Sequence, residues 1–254
     1  MLTARYGPGP DQAGDLHLPA SRGPLVCLFH GGFWRMPYDR TQCTAIAEDL
    51  AVRGYAVWNL EYRRVGEGGH PWPATREDVD LILDALPSLG VAYPEADLSR
   101  VIFAGHSAGG HLAFWAAARR RRVPRPFRVA GAIGLAPLLD LAAAHAAGLG
   151  RGAVEAFLGG PSDTFRDRLV EASPRALLPL GVPQVVLHGE DDTAVPLADS
   201  RAYVDAAHHA GDAAALVALR ATDHMAFLDP ATGAHRALRS VLEDLTGGPP
   251  SAGR

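Results

Sequence analysis

Two cysteines in 254 residues are too few for a disulfide framework, and Cys27 in an apolar run and Cys43 in a predicted helix lack the spacing of a zinc site. A reduced, cytoplasmic setting follows. Long hydrophobic runs are also missing. No stretch is long enough to span a bilayer, and residues 1–10 hold Arg5 and four Gly or Pro but no apolar segment of the kind a secretory signal needs. Nor is there an excess of positive charge. A formal net charge of −4 gives no footprint for nucleic acid or an anionic membrane surface, which leaves a small molecule as the expected partner; for the oligomeric state, monomer and homodimer both stay open. Eleven histidines are present without a His-Glu-x-x-His pair, and the adjacent His208 and His209 point apart on a helix. Most histidines are therefore expected on the surface or in loops, with no metal and no organic cofactor implied.

What is present is apolar material for a core. A hydrophobic content of 48% suits one large α/β domain over residues 1–246, with a disordered tail at 247–254. No internal repeat is visible. The chain is organised around Gly105-His106-Ser107-Ala108-Gly109, which follows the apolar run 101–104 and precedes a long Ala-rich stretch. Strand, sharp turn and helix form a nucleophile elbow, in which the serine takes a strained conformation and the flanking glycines let the turn close. Ala108 then heads a helix, where its amide has no intrahelical partner and faces developing negative charge.

Residues 2–6 and 15–18 read as an antiparallel edge hairpin, and 25–29 as a strand buried on both faces. A helix over about 41–53 presents Ile46, Ala47 and Leu50 on one side and stops at Gly54; 55–60 is the next strand. The Gly- and Pro-rich 66–73 is a loop. Thr75 with Asp78 resembles a capping box ahead of the stripe Val79, Ile82, Leu83 and Leu86. The arginine run 119–122 closes the helix after the elbow and faces water. Strands follow at 129–135, 184–187 and 214–219, with a last helix at 230–245. Between the first two of these, the short segments 138–147, 154–158 and 165–171 form a small helical cap. Alternating strands and helices imply a mostly parallel central sheet with helices on both faces.

Active groups in such a sheet come from loops at the carboxyl ends of strands. One such loop carries His30-Gly31-Gly32-Phe33, a second His188-Gly189-Glu190-Asp191-Asp192, and a third Asp223-His224. In chain order this gives Ser107, an acid among Glu190, Asp191 and Asp192, and His224. That order with an elbow serine resembles the α/β-hydrolase family. The resemblance implies its fold and a catalytic triad: Ser107 attacks a carbonyl, His224 takes and returns the proton, and an acid orients His224. The family's His-Gly-x-x-Asp-x-x-Val-Pro pattern matches His188, Gly189, Asp192, Val195 and Pro196, which selects Asp192 and leaves Asp191 as the minor alternative.

His30-Gly31-Gly32-Phe33-Trp34 is similar to the His-Gly-Gly-Gly oxyanion segment of lipases and esterases, with Phe33 in place of the third glycine. The resemblance assigns the oxyanion hole to the amides of Gly32, Phe33 and Ala108, with His30 fixing the loop. Phe33, Trp34 and Trp72 are expected to line the substrate pocket, although Trp34 suits a core position equally well. His-Gly-Gly-Phe-Trp with Gly-His-Ser-Ala-Gly-Gly-His-Leu-Ala resembles the kynurenine formamidase (arylformamidase) branch and neighbouring esterases. This implies a metal-free serine hydrolase acting on N-formylkynurenine or a similar aryl formamide, with a small-acyl carboxylesterase as the alternative. A degenerate hydrolase serving as a ligand receptor fits less well, because no triad member is missing. Little chain precedes the first hydrolase strand, so pocket closure falls to the cap at about 138–171.

Overall fold

The computed structural model describes residues 1–66, 71–120, 126–160 and 162–249. Its strands are β1 (Leu2–Arg5), β2 (Ala13–His17), β3 (Gly23–Phe29), β4 (Ala56–Leu60), β5 (Ala96–His106), β6 (Val129–Leu135), β7 (Gln184–Gly189) and β8 (Ala214–Leu219). They form an eight-stranded sheet in the order β1-β2-β4-β3-β5-β6-β7-β8. The β1–β2 hairpin and the β2–β4 pair are antiparallel, and β4 through β8 run parallel. The helices are α1 (Thr44–Val52), α2 (Pro71–Ala92), α3 (Ala108–Arg120), α4 (Leu141–Ala146), α5 (Leu149–Leu158), α6 (Phe165–Ala172), α7 (Leu197–His209) and α8 (Gly233–Thr246).

The two-residue period of the strands divides the core in two. Leu25, Cys27 and Phe29 of β3, with Val101 and Phe103 of β5, meet α2, α3, α7 and the cap. The alternate residues Val26, Leu28, Ile102 and Ala104 meet α1 and α8. That partition explains why β3 reads as a continuous apolar run: both of its faces are covered, and each large side chain so buried contributes about 2 kcal/mol.

Several local expectations change. Helix α2 begins at Pro71, a turn before the expected capping box, because Thr75 and Asp78 are used elsewhere: Thr75 Oγ1 donates to Arg63 O at 2.6 Å, and Asp78 accepts from Arg63 and Gln12. Arg119 does not simply face water, since it pairs with Asp80 at 2.8 Å and lies over the Trp115 ring. Gly247 and Gly248, expected in a disordered tail, cap α8, and Arg100 donates to Gly248 O at 2.7 Å. Residues 67–70 of the expected loop, Arg121 and Arg122 of the arginine run, and 250–254 of the expected tail lie outside the described residues. The cap forms α4, α5 and α6, and α5 opens with left-handed backbone at Gly150, Arg151 and Gly152.

The elbow depends on a close approach of backbones. A Cβ at Gly109 would lie 2.1 Å from Phe29 O, and one at Gly105 would lie 2.2 Å from Gly109 O. Neither obstacle is a side chain that can swing away. Gly109→Ala should therefore lower stability by about 2–3 kcal/mol, read as a fall in the urea midpoint. Gly233→Ala, at a position whose nearest atom is the flexible Arg236 head at 3.5 Å, should leave the midpoint unchanged or slightly raised.

Candidate active site

Ser107 sits between β5 and α3 with φ 54°, the left-handed conformation that an L-residue adopts at a cost of about 1–2 kcal/mol. Its amide is held by Leu135 O at 2.8 Å. Gly31 lies against the elbow, because a Cβ there would stand 3.3 Å from Ser107 Cβ. The strand-end loop after β3 then turns through three successive left-handed residues, Gly32, Phe33 and Trp34 (φ 101°, 50° and 56°). None of the described hydrogen bonds uses the amides of Gly32 or Phe33, and the Ala108 amide heads α3. The three N–H groups assigned from the sequence are thus free to donate.

His30 anchors this turn. Its ring is fully buried, stacks on Tyr62 at 4.3 Å, and places Nε2 2.9 Å from Glu61 Oε1 and Nδ1 2.8 Å from Gly31 O. Burial alone would raise the Glu61 carboxyl, but the His30 hydrogen bond, the charges of His30 and Arg64, and the Arg40 amide hold it below the usual carboxylate range. The sequence does not single out Glu61, whose partner His30 lies 31 positions away.

The loops after β7 and β8 bring Asp192 and His224 together. Asp192 Oδ2 accepts from His224 Nδ1 at 2.7 Å, and Oδ1 accepts from the Ala194 and Val195 amides at 2.8 and 2.9 Å. With Nδ1–H committed to the carboxylate, His224 Nε2 is left as the proton acceptor. Burial acts to raise Asp192, yet the hydrogen bonds from His188, His224 and Val195 hold it far below the usual carboxylate range. His188 is the unexpected member: its buried ring places Nε2 3.0 Å from Val195 O and 3.2 Å from Asp192 Oδ2, with Nδ1 2.8 Å from Ser200 Oγ. Asp191 is exposed, and its amide only ties the two loops through Thr222 O at 3.1 Å. Of the neighbouring acids, Asp192 is the one bonded to His224. None of the described hydrogen bonds joins Ser107 Oγ to His224.

Trp72 moves from the expected pocket into the core, and Trp34 takes the core position that the sequence left open for it. Trp34 and Trp72 are 0% and 1% exposed. The left-handed turn swings Trp34 beneath the loop, where it stacks on Phe157 at 4.3 Å and donates to His111 Nδ1 at 3.2 Å. Trp72 meets Trp115 and Phe157 edge-on. Phe33 remains partly exposed against Gly150 of the cap, so of the three it alone borders solvent. Tyr38, half exposed, packs on the Cα of Gly32 and was not singled out from the sequence. The expectation for the histidines is also corrected: His17, His30, His106, His111, His188 and His235 are all buried. Among the described residues no group of three or more His, Cys, Asp or Glu side chains is placed to hold a metal ion, and no helix is long and apolar enough to cross a membrane.

The BD-FAE family model matches residues 15–206, which take in the Gly31–Gly32 turn, the elbow and Asp192. The chain belongs to the BD-FAE family. BD-FAE is an α/β-hydrolase esterase family, and the chain's fold is the α/β-hydrolase fold. The chain is similar to an isoprenylcysteine alpha-carbonyl methylesterase of Arabidopsis thaliana, 25% identical over 246 residues covering 86% of this chain and 55% of the plant protein. It spans about half the length of the plant relatives it matches. A truncated carbohydrate esterase from gut microbiota superposes with a TM-score of 0.81 at 18% identity, covering 96% of this chain and 95% of that one. Esterase B of Lactobacillus rhamnosis gives 0.79 at 20%, covering 96% and 86%. At these identities the two structures show the fold that this BD-FAE chain shares with them.

The buried histidines set an acid limit on stability. Burial, helped by the charge of His224, lowers His106 to about 3, and burial lowers His111 to about 4. The unfolded chain takes up these protons as pH falls through about 6.5 while the folded chain does not, so stability is lost from there downward. Between pH 7 and 5 the loss should be about 2 kcal/mol per histidine. Urea titrations at the two pH values measure it, and equal stabilities would contradict the assignment. The depressed carboxylates act only at lower pH and do not contribute to this window.

Proposed function

We propose that the protein is a serine carboxylester hydrolase for small acyl groups, working through an acyl-enzyme. The observation that carries the reading is the 2.7 Å bond from His224 Nδ1 to Asp192 Oδ2, made between two strand-end loops beside a serine held at φ 54°. Ser107 Oγ attacks the ester carbonyl carbon and its proton passes to His224 Nε2. The carbonyl oxygen, now negative, faces the amides of Gly32, Phe33 and Ala108, each worth roughly 3 kcal/mol if well placed. The bond to the leaving oxygen breaks as His224 returns the proton to it. Water then repeats the cycle on the acyl-enzyme, releasing the acid and restoring Ser107. Asp192 holds the imidazole in the tautomer that accepts, and it balances the imidazolium.

The family and the ester-hydrolase names of the relatives support the ester reading over the aryl-formamide one. The site adds to this. Trp34 and Trp72 are unavailable to stack a kynurenine ring, which leaves Phe33 and Tyr38 as the aromatic surfaces beside the oxyanion turn. Phe33 packs against Gly150, so the cap borders the turn that carries it.

Ser107→Ala should fold normally, lose hydrolysis of p-nitrophenyl acetate and lose labelling by a fluorophosphonate; undiminished turnover would sink the reading. Asp192→Asn should lower kcat by about 10³- to 10⁴-fold, whereas Asp191→Asn should stay near wild type. Comparison of kcat/KM across p-nitrophenyl acetate, p-nitrophenyl palmitate and N-formylkynurenine should rank the acetate first. A winning palmitate would remove the small acyl pocket, and a winning N-formylkynurenine would restore the formamidase reading.

A further inference from the structure

His106, the residue before Ser107, is buried to 2% exposure between the two loops that flank the serine. On one side its Nε2 lies 2.8 Å from the backbone carbonyl of His224, with the two rings 4.7 Å apart and tilted by 50°. On the other side its ring occupies the space of a missing side chain: a Cβ on Gly31 would stand 2.7 Å from His106 Nδ1. A carbonyl only accepts, so Nε2 carries the proton and Nδ1 is a bare lone pair. That lone pair is buried with no hydrogen-bond partner, a condition that costs about 1–3 kcal/mol.

An apolar residue of similar size would fill the same space without that cost. The one polar bond the ring makes goes to the residue that carries the base. We infer that His106 is a positioning residue, which fixes the backbone of His224 relative to Ser107 and the Gly31 turn. The inference rests on the roles of Ser107 and His224 proposed above.

His224 is then held at two points. Asp192 grips the side chain at Nδ1 and His106 grips the carbonyl, so the imidazole can neither turn about its side-chain bonds nor ride outward with its loop. The second grip has work to do, because Ala221, Asp223 and Met225 around it are exposed and supply little packing. His106 also stays uncharged, burial and the proximity of His224 having lowered it to about 3, so it does not oppose a proton arriving on its neighbour. Gly31 is the complement of this wedge: any side chain there displaces the ring.

Two amide variants separate reach from bulk. The Gln side chain carries its N–H₂ to about the place of Nε2, whereas Asn ends near Nδ1 and cannot reach His224 O. For p-nitrophenyl acetate, His106→Asn should lower kcat by about 10- to 100-fold, the cost of a misplaced base of about 1 Å. KM should stay within about twofold, and His106→Gln should recover kcat to within about fivefold. Wild-type kcat in His106→Asn, a loss carried by KM, or an equal defect in a folded His106→Gln would each overturn the inference. Should His106→Asn not fold, ¹⁵N NMR of the wild-type imidazoles decides: a slowly exchanging Nε2–H on His106 supports the bond to His224, and an Nδ1–H tautomer refutes it. Failure of Ser107→Ala to abolish fluorophosphonate labelling strikes the proposed function instead, and is read separately.

Discussion

The first turn of α3 lies so close to the ends of β3 and β5 that no side chain fits between them, and the rest of the site follows from that approach. Gly105 and Gly109 are the two positions where the backbones meet, and both obstacles there are main-chain atoms. With them in contact, Ser107 has nowhere to go but the left-handed conformation, which raises its side chain off the sheet. The same approach brings the loop after β3 against the elbow, so that Gly31 touches both His106 and Ser107. One steric constraint thus places the serine, the free amide of Ala108 and the Gly31–Gly32 turn within one small volume.

Buried imidazoles hold the flanking loops to that volume. His30 braces the turn after β3 against Glu61, His188 braces Asp192, His106 braces His224, and His111 braces the end of α6 through Ala172 O at 2.8 Å. Histidine suits this work because a rigid ring has hydrogen-bonding atoms on two edges and joins groups that a shorter side chain cannot span. The arrangement is weighted against acid. The carboxylates Glu61 and Asp192 are held in the ionised form by these contacts, whereas His106 and His111 are held uncharged by burial. The folded state therefore loses stability once pH falls below the ordinary histidine range.

The elbow and the loop residues were legible in the sequence because their signals are local. A glycine pair around a serine between an apolar run and an Ala-rich stretch needs no tertiary information, and a parallel sheet puts its strand-end loops on one edge. The histidine braces were not legible, since their partners are distant: His106 meets His224 across 118 positions and His111 meets Ala172 across 61. Nothing in the neighbourhood of a single histidine tells burial from exposure. The sequence leaves Trp34 open between pocket and core for a related reason. Adjacent residues in extended backbone point to opposite sides, but three left-handed residues in succession turn the indole under the loop instead. The start of α2 was misjudged because Thr75 and Asp78 serve Arg63 of the preceding loop, a tertiary use that outweighs a local capping pattern.

The cap is tied down at two places. At one, Arg35 donates to Gly150 O at 2.8 Å while Phe33 fills the space where Gly150 lacks a side chain. At the other, His111 and Trp115 both donate to the backbone at the end of α6, and Phe157 stacks on Trp34 in between. These contacts reach the turn after β3 through Phe33, Trp34 and Arg35, the first two of which belong to its left-handed run of Gly32, Phe33 and Trp34. On the esterase reading, the boundary of the acyl space is therefore continuous with the core, because a cap that lifted from Phe33 would also have to unstack Phe157 from Trp34. The tie is tight at Phe33 and Gly150, where the ring already stands 2.6 Å from the place of a Cβ. A side chain at 150 would have to displace the Phe33 ring, and with it the turn that Phe33 shares with Trp34.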